Sequence, residues 1–520
     1  MSPEQVSRSS AMWDRISRGE LNAAATDAQL LLASLDAPAD RAEAHAALGL
    51  VLQRVGRIAE SRDRFARAVE LTRHEPRLQA SYVADEAGSR FLLGDLAGAA
   101  SGAECARRLG DRHANRFAAC EALNTLAAVA LAEGRTATAL RLTREGVRLQ
   151  AAERESSGGA PMSHLYLGLA LVELDRFAEA DVAFTEGLTR ATRAGAAGQL
   201  TWFHCMRGLA RFLCGQWDAA TADARAALEA ADRTGTLIAR PLARGVLGLV
   251  EAIRGNVAVA ADLVAPHEGT LIAVGLPGEE WLAMARAAMA DDAAAAYEAL
   301  VEGWLHTRRT PYFLSWRALA PAVVHHAVRR GDRGLAAEVA ADAETGARLA
   351  GDVPSARGAA LRCRATMDAD PEAALDAVEA LRDSGRPFAF ASACLEAGLL
   401  LHAAGHDDRS RAVLLESADA FHGLRATPFL AYAGQRMVHL SGDPAAVAAR
   451  PALAPGWELL TPAERDVAVL VAKGMSNPQI GSALFVSPRT VQTHTSHIYA
   501  KLRISSRVQL SALLHQHGLD

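Results

Sequence analysis

The chain's 520 residues include 55 Lys or Arg and 60 Asp or Glu, for a net charge of −5; half are hydrophobic and only 5% aromatic. That length allows several domains, and an apolar fraction so rich in alanine and so poor in rings favours close-packed helices over sheets. No run of 18 apolar residues offers a membrane span, the N-terminal MSPEQVSRSSAMWDRISRGE lacks a signal-peptide core, and the six cysteines form no CxxC pair, so they are read as buried thiols of a reducing cytoplasm and not as a disulfide frame or zinc site.

Residues 1–440 carry a repeat. A glycine, or one equivalent residue, marks a turn at Gly19, Gly56, Gly94, Gly134, Asp175, Gly215 and Gly255, at intervals of 37, 38, 40, 41, 40 and 40. It returns at Gly331 and Gly405, with degenerate units near Ala290 and Asp368. Seven residues before the turn stands a small residue (Gly49, Ala87, Ala127, Gly168, Gly208, Gly248, Gly398), and five after it another (Ser61, Ala99, Ala139, Ala180, Ala220, Ala260, Ser410). Small residues at both offsets let the two helices of a hairpin cross closely, with larger ones such as Leu52, Phe65, Leu171 and Phe184 filling the space on either side. LGLVLQRVGRIAESRDRFARAVEL and LGLALVELDRFAEADVAFTEGL, the clearest units, resemble tetratricopeptide repeats, although their period exceeds the usual one of about 34 residues. A hairpin of this kind buries its apolar surface only by stacking, so a superhelical array with a concave, partner-binding face is expected.

Other candidates along this body are weaker. Ser156-Ser157-Gly158-Gly159 is read as a loop between repeats, and His325-His326 as neighbours that point apart on a helix. His402 and His406 have the spacing of a helical metal pair, but the turn at Gly405 separates them, which favours surface histidines. The Asp and Glu residues read as solvated helix faces. With no GxxxxGK[ST] loop and no strand–helix alternation at the N-terminus, neither nucleotide hydrolysis nor phosphorelay is expected, and no catalytic, cofactor or metal residue is assigned. Residues 441–456, rich in Pro and Ala, read as a semi-rigid linker.

The final stretch, 457–520, has a different grammar. Thr461-Pro462-Ala463-Glu464 is a capping box with Pro at the first helical position, and Gly474 is a plausible stop. A second helix is predicted over Asn477–Leu484, a turn at Phe485-Val486-Ser487 with Ser487 as N-cap, a third helix over about Pro488–Leu502, and a fourth from Ser506 to Gln516. Two short helices joined by a three-residue turn, the second rich in hydrogen-bonding side chains, is the arrangement that places one helix in the DNA major groove. No Asp or Glu occurs from Lys473 to Leu519, and residues 457–520 sum to +2 on a chain of −5, which suits a tail that touches phosphate.

These residues resemble the LuxR-type (GerE-like) DNA-binding domain, through Leu460-Thr461, Glu464, Val469, Ala472, Gly474, Asn477, Ile480, Ala483-Leu484, Ser487, Thr490-Val491, His494, Ile498, Lys501-Leu502 and Ser506-Arg507, without a gap. Together with the repeats, the chain looks like the C-terminal part of the large ATP-binding LuxR regulators. Val491, Ile498 and Leu502 recur on one face and are expected in the domain core. On the opposite face Gln492, Thr493 and Ser496 occupy positions that read base edges in similar domains; many relatives carry Lys where this chain has Gln492, so the target sequence does not carry over. Ser487, Arg489, Thr490, His494, Lys501 and Arg507 complete the expected DNA-binding set, the last five as phosphate contacts. The resemblance implies dimerisation through the fourth helix on double-stranded promoter DNA.

The sequence therefore points to an all-α chain, a tetratricopeptide-like superhelical array followed by a four-helix helix-turn-helix domain. Its expected function is a cytoplasmic transcriptional regulator that is no enzyme, needs no cofactor and touches no membrane. A protein or small-molecule effector at the repeats and RNA polymerase are further candidate partners. The alternative left open is a protein-interaction scaffold whose helix-turn-helix does not bind DNA.

Overall fold

Two helices per repeat, joined by a turn that needs a left-handed residue, build the body of the chain. The computed structural model describes residues 3–151, 162–265, 278–290, 292–309, 315–441, 460–473, 475–484, 486–502, 504, 510, 513 and 514. In chain order the hairpins are α1–α2 (Pro3–Arg18, Leu21–Ser34), α3–α4 (Pro38–Arg54, Ile58–Leu71), α5–α6 (Pro76–Leu92, Leu96–Arg112), α7–α8 (Arg116–Ala132, Thr136–Ala151), α9–α10 (Ser163–Glu173, Phe177–Arg193), α11–α12 (Ala197–Leu213, Trp217–Thr234), α13–α14 (Arg240–Arg254, Val257–Val264), α15–α16 (Glu279–Met289, Ala293–Arg309), α17–α18 (Trp316–Arg330, Arg333–Ala350), α19–α20 (Pro354–Asp368, Pro371–Arg382) and α21–α22 (Pro387–Ala403, Asp407–Leu424), followed by α23 (Thr427–Ser441). By contacts the chain separates into two units, Met1–Ala433 and Gly434–Asp520. The expected linker, apart from Ser441 at the end of α23, and the Gly158-Gly159 loop lie outside the described residues.

Every marked turn has a positive φ, from +57° at Asp175 to +91° at Gly255. The next residue then donates its N–H back to a carbonyl in the last turn of the first helix, as Arg57 does to Leu52 (2.9 Å), Arg176 to Leu171 (2.9 Å) and His406 to Leu401 (2.8 Å). This is the Schellman stop, and the left-handed residue it demands is why glycine recurs. The two degenerate units differ from each other: Ala369 takes the left-handed conformation (φ +51°) just after Asp368, whereas Ala290 is extended.

Packing inside a hairpin follows side-chain size. Ser61, Ala99, Ala139, Ala180, Ala220, Ala260 and Ser410 are all fully buried, at 0% exposure. The residue seven before each turn faces the one nine after it, and the two sizes are complementary. Gly49 sits under Phe65, Gly168 under Phe184, Gly248 under Val264 and Gly398 under Leu414, each so close that an added Cβ would fall 2.4–2.9 Å from the larger side chain. At Ala103 and Thr143 the later residue is small and alanine takes the earlier place, at Ala87 and Ala127, while Gly208, opposite the small Ala224, departs from the rule. Gly168→Ala is accordingly expected to destabilise the fifth hairpin by about 1–3 kcal/mol, because the buried Phe184 ring cannot withdraw. Adding Phe184→Leu should restore at least half of that loss in thermal unfolding.

The array winds until successive turns touch. The tip of the first hairpin at Gly19 meets Thr234, at the link between the sixth and the seventh. Further along, Gly134 meets Leu349, Gly215 meets Pro387 and Leu424, and Gly255 meets Pro428. Hairpin tips thus abut the links between later hairpins, and one apolar core, including Phe184, Trp217, Trp281, Trp316 and Phe421, extends from Ala130 to Ala426.

At the Asp175 tip this contact is ionic. The Asp175 carboxylate accepts from Arg386 Nε (2.7 Å), Ser355 N (2.9 Å) and Ser355 Oγ (2.8 Å), while Arg386 also donates to the Val172 carbonyl (3.0 Å). Beside it Arg317 pairs with Glu173 at 2.8 Å, and all four side chains are at most 6% exposed. The expectation that the acids are solvated fails here: burial pushes the Glu173 carboxyl above its usual range despite Arg317 and Arg386. It fails also at Asp85 and Glu121, which burial raises to about 8 and about 7. His325 and His326 do not point apart; their rings meet edge to face at 5.4 Å. His402 and His406 are exposed, with His402 bonded to Asp407 at 2.8 Å.

Candidate nucleic-acid interface

In the C-terminal unit the first helix, α24 (Pro462–Ala472), starts on a complete capping box. The Glu464 N–H donates to Thr461 Oγ1 (3.3 Å) and the Thr461 N–H donates to Glu464 Oε2 (2.7 Å). α25 (Asn477–Leu484) follows, its start held by Gln479, whose Oε1 accepts from the Ser476 N–H (2.8 Å) and hydroxyl (2.9 Å). α26 (Pro488–Leu502) is the predicted third helix, with the predicted bounds. Ser487 caps it, accepting from the Thr490 N–H at 3.0 Å, and the two hydroxyls bond each other at 2.8 Å.

What aims α26 is its buried stripe. Val491 and Ile498 are 0% and Leu502 6% exposed, packed with Leu460, Val467, Val471, Ile480, Leu510 and Leu514. Thr495 joins this face, its hydroxyl turned back to the Val491 carbonyl at 2.8 Å. The stripe at i, i+4, i+7 and i+11 leaves the other side of the helix outward: Ser487, Thr490, Gln492 and Thr493 are all exposed, and His494 is half-buried. The side chains of Arg489 and Ser496 lie outside the described residues, though both belong to α26. Arg507 lies outside them altogether, as does most of the predicted fourth helix, of which Leu510, Leu513 and Leu514 are described.

Lys501 is placed differently from a simple phosphate contact. Its Nζ lies 2.6 Å from Glu464 Oε2, tying the end of α26 to the cap of α24, and His497 Nδ1 approaches the other oxygen at 3.7 Å. Glu464 is 3% exposed. Burial alone would raise its carboxyl, but Lys501 and the Thr461 bonds outweigh it and hold the group down at about 2. Nothing local in the sequence pairs residues 37 apart; Glu464 was legible as a cap and Lys501 only as a cation. Among the described residues no group of His, Cys, Asp or Glu could hold a metal, and no helix is long and apolar enough to cross a membrane.

Residues 458–514 match the model of the bacterial regulatory proteins, luxR family. A Mycobacterium bovis protein named as an HTH-type transcriptional regulator, Mb0914c, is 66% identical over 55 residues, 11% of this chain and 6% of its own length. The response regulator protein VraR of Staphylococcus aureus is 41% identical over 63 residues, 12% of this chain and 30% of VraR. The chain thus spans only a small part of the curated relatives it matches. Among solved structures, the apo form of RapI superposes with a TM-score of 0.37 at 11% identity, covering 70% of this chain and 99% of that one. The Cut9–Hcn1 complex gives a TM-score of 0.40 at 13% identity, covering 97% and 95%. Capping box, helix bounds, buried stripe and family match agree on one conclusion: residues 458–514 are a LuxR-type helix-turn-helix domain.

Proposed function

We propose that the chain is a transcriptional regulator whose C-terminal helix-turn-helix (457–520) binds double-stranded promoter DNA and whose helical body (1–440), joined through 441–456, senses or docks an effector. The observation that carries this reading is the outward face of α26: Thr490, Gln492 and Thr493 exposed above a buried apolar stripe, in a segment free of carboxylates from Lys473 to Leu519. Gln492 bonds bidentately to adenine and the Thr493 methyl meets thymine, with Ser496 beside them, while Ser487, Arg489, Thr490, His494 and Arg507 take phosphates. An ammonium has three N–H donors, so Lys501 keeps two for a phosphate while one holds Glu464. One domain of charge +2 binds weakly alone, which favours a homodimer paired through 506–516 on a two-fold site in the cytoplasm, with RNA polymerase as a further partner.

Selection of full-length protein on a random duplex library at two salt concentrations tests this directly: a symmetric enriched motif supports it, and retention without a motif counts against it. Within that motif, Gln492→Ala is expected to relax preference at one base pair by about 1–3 kcal/mol, whereas Arg489→Ala weakens all sequences alike and flattens the salt dependence. If both variants lower affinity uniformly, the division into base and phosphate contacts is wrong.

A further inference from the structure

The fifth hairpin carries a groove that the helix-turn-helix function does not use. It is an open groove lined by α8, α9 and α10, with a volume of about 470 Å³. Its apolar floor is formed by Leu167 and Leu171 of α9 and by Val182 of α10. Val182 is 70% exposed, the highest value among the described large hydrophobic residues, so this floor presents a surface that stacking alone does not cover.

Two polar groups in the groove are open to a ligand, one buried and one at the rim. His164 is 7% exposed, yet its Nδ1 has no hydrogen-bond partner. Burial, reinforced by Arg190 and opposed by Glu186, lowers its pKa. Arg144 is exposed at the rim and feels Glu179, and among the described residues it has no hydrogen bond or ion pair. The two rim acids are already engaged: Glu179 holds Arg176 through two bonds of 2.6 Å, and Glu186 holds Arg190 at 2.8 Å. A buried polar atom without a partner is costly, and His164 lines the groove, so a turn of its ring would let a ligand there complete the Nδ1. With the acids neutralised and one guanidinium unpaired, the charge the groove accepts is negative.

We propose that this groove binds a small apolar carboxylate, its hydrocarbon on Leu167, Leu171 and Val182 and its carboxylate toward Arg144 and His164. The inference rests on the reading of the body as an effector sensor, for which it names the effector class. Binding is measured without DNA, so its failure and the failure of promoter recognition are separate results.

The test uses octanoate, with octylamine and octanol as probes of equal chain length, against the full chain in titration calorimetry and thermal unfolding. Octanoate is expected to bind saturably and raise the unfolding midpoint, with octylamine at least tenfold weaker. Arg144→Gln is expected to weaken octanoate at least tenfold. Val182→Asp changes an exposed position, leaves the fold intact and abolishes binding. Equal binding of all three probes, no binding of octanoate, or unaltered binding by the Val182→Asp chain would each overturn the proposal.

Discussion

Arg386→Ala is expected to destabilise the helical body by about 3–5 kcal/mol, the usual loss when one partner leaves a buried ion pair. The substitution strips Asp175 of its guanidinium and the Val172 carbonyl of its donor at a site where both ionic side chains are 5% exposed. Neighbouring Glu173 and Arg317 are already strained as ions, for burial raises the acid and lowers the base. The cluster is therefore costly to assemble and more costly to leave half-made. If that account holds, the double variant Asp175→Gly/Arg386→Met should recover part of the loss, although the Val172 carbonyl and the Ser355 N–H stay without these partners. It removes both charges, fills the volume, and gives the left-handed tip the residue found at the other marked turns. The check is denaturant unfolding of the full chain, read by hydrogen exchange at residues 172–176, since repeat arrays need not unfold in one step. A double variant no better than Arg386→Ala would mean that the guanidinium acts by packing against Phe177, over whose ring it lies at 5.4 Å.

That cluster also marks where the sequence stops being legible. The turn pattern could be read because its cause is local: a Schellman stop needs one left-handed residue, and glycine shows it at fixed intervals. The size rule across each hairpin is nearly as local, linking residues sixteen apart such as Gly168 and Phe184. At Asp175 the same reading registered only an equivalent of glycine. Its partners, Ser355 and Arg386, stand 180 and 211 residues away, and their own neighbourhoods carry no sign that they are buried. Helical period also failed to separate these acids from solvated ones, because half-buried Asp85 and Glu121 come near each other from different hairpins. The three helices described in the C-terminal domain were legible down to their bounds because caps and apolar stripes are written within a few residues. Lys501 was not, since its partner lies on another helix.

Removal of that partner gives the second large effect. Glu464→Ala is expected to lower the stability of the helix-turn-helix domain by about 2–4 kcal/mol, combining a lost cap of about 1 kcal/mol with a buried charge-assisted bond to Lys501. In a domain this small that is a large share of the total, so DNA affinity should fall for every sequence although Glu464 touches none. The pH dependence has a defined sign. The folded carboxyl sits at about 2, below its unfolded value near 4.5, so its contribution is complete above that value and fades as pH falls toward 2. Native Glu464 should therefore add stability at pH 7 that the Glu464→Gln variant lacks, with the two chains converging near pH 2. Hydrogen exchange along α24 and α26, compared for both chains at pH 7 and pH 3, measures it. A gap between the chains that stayed constant over that range would place the effect in the shape of the cap and not in the charge. The same geometry governs Lys501→Ala: that variant leaves Glu464 buried without its cation, so lost DNA affinity counts as a lost phosphate contact only if the exchange profile is unchanged.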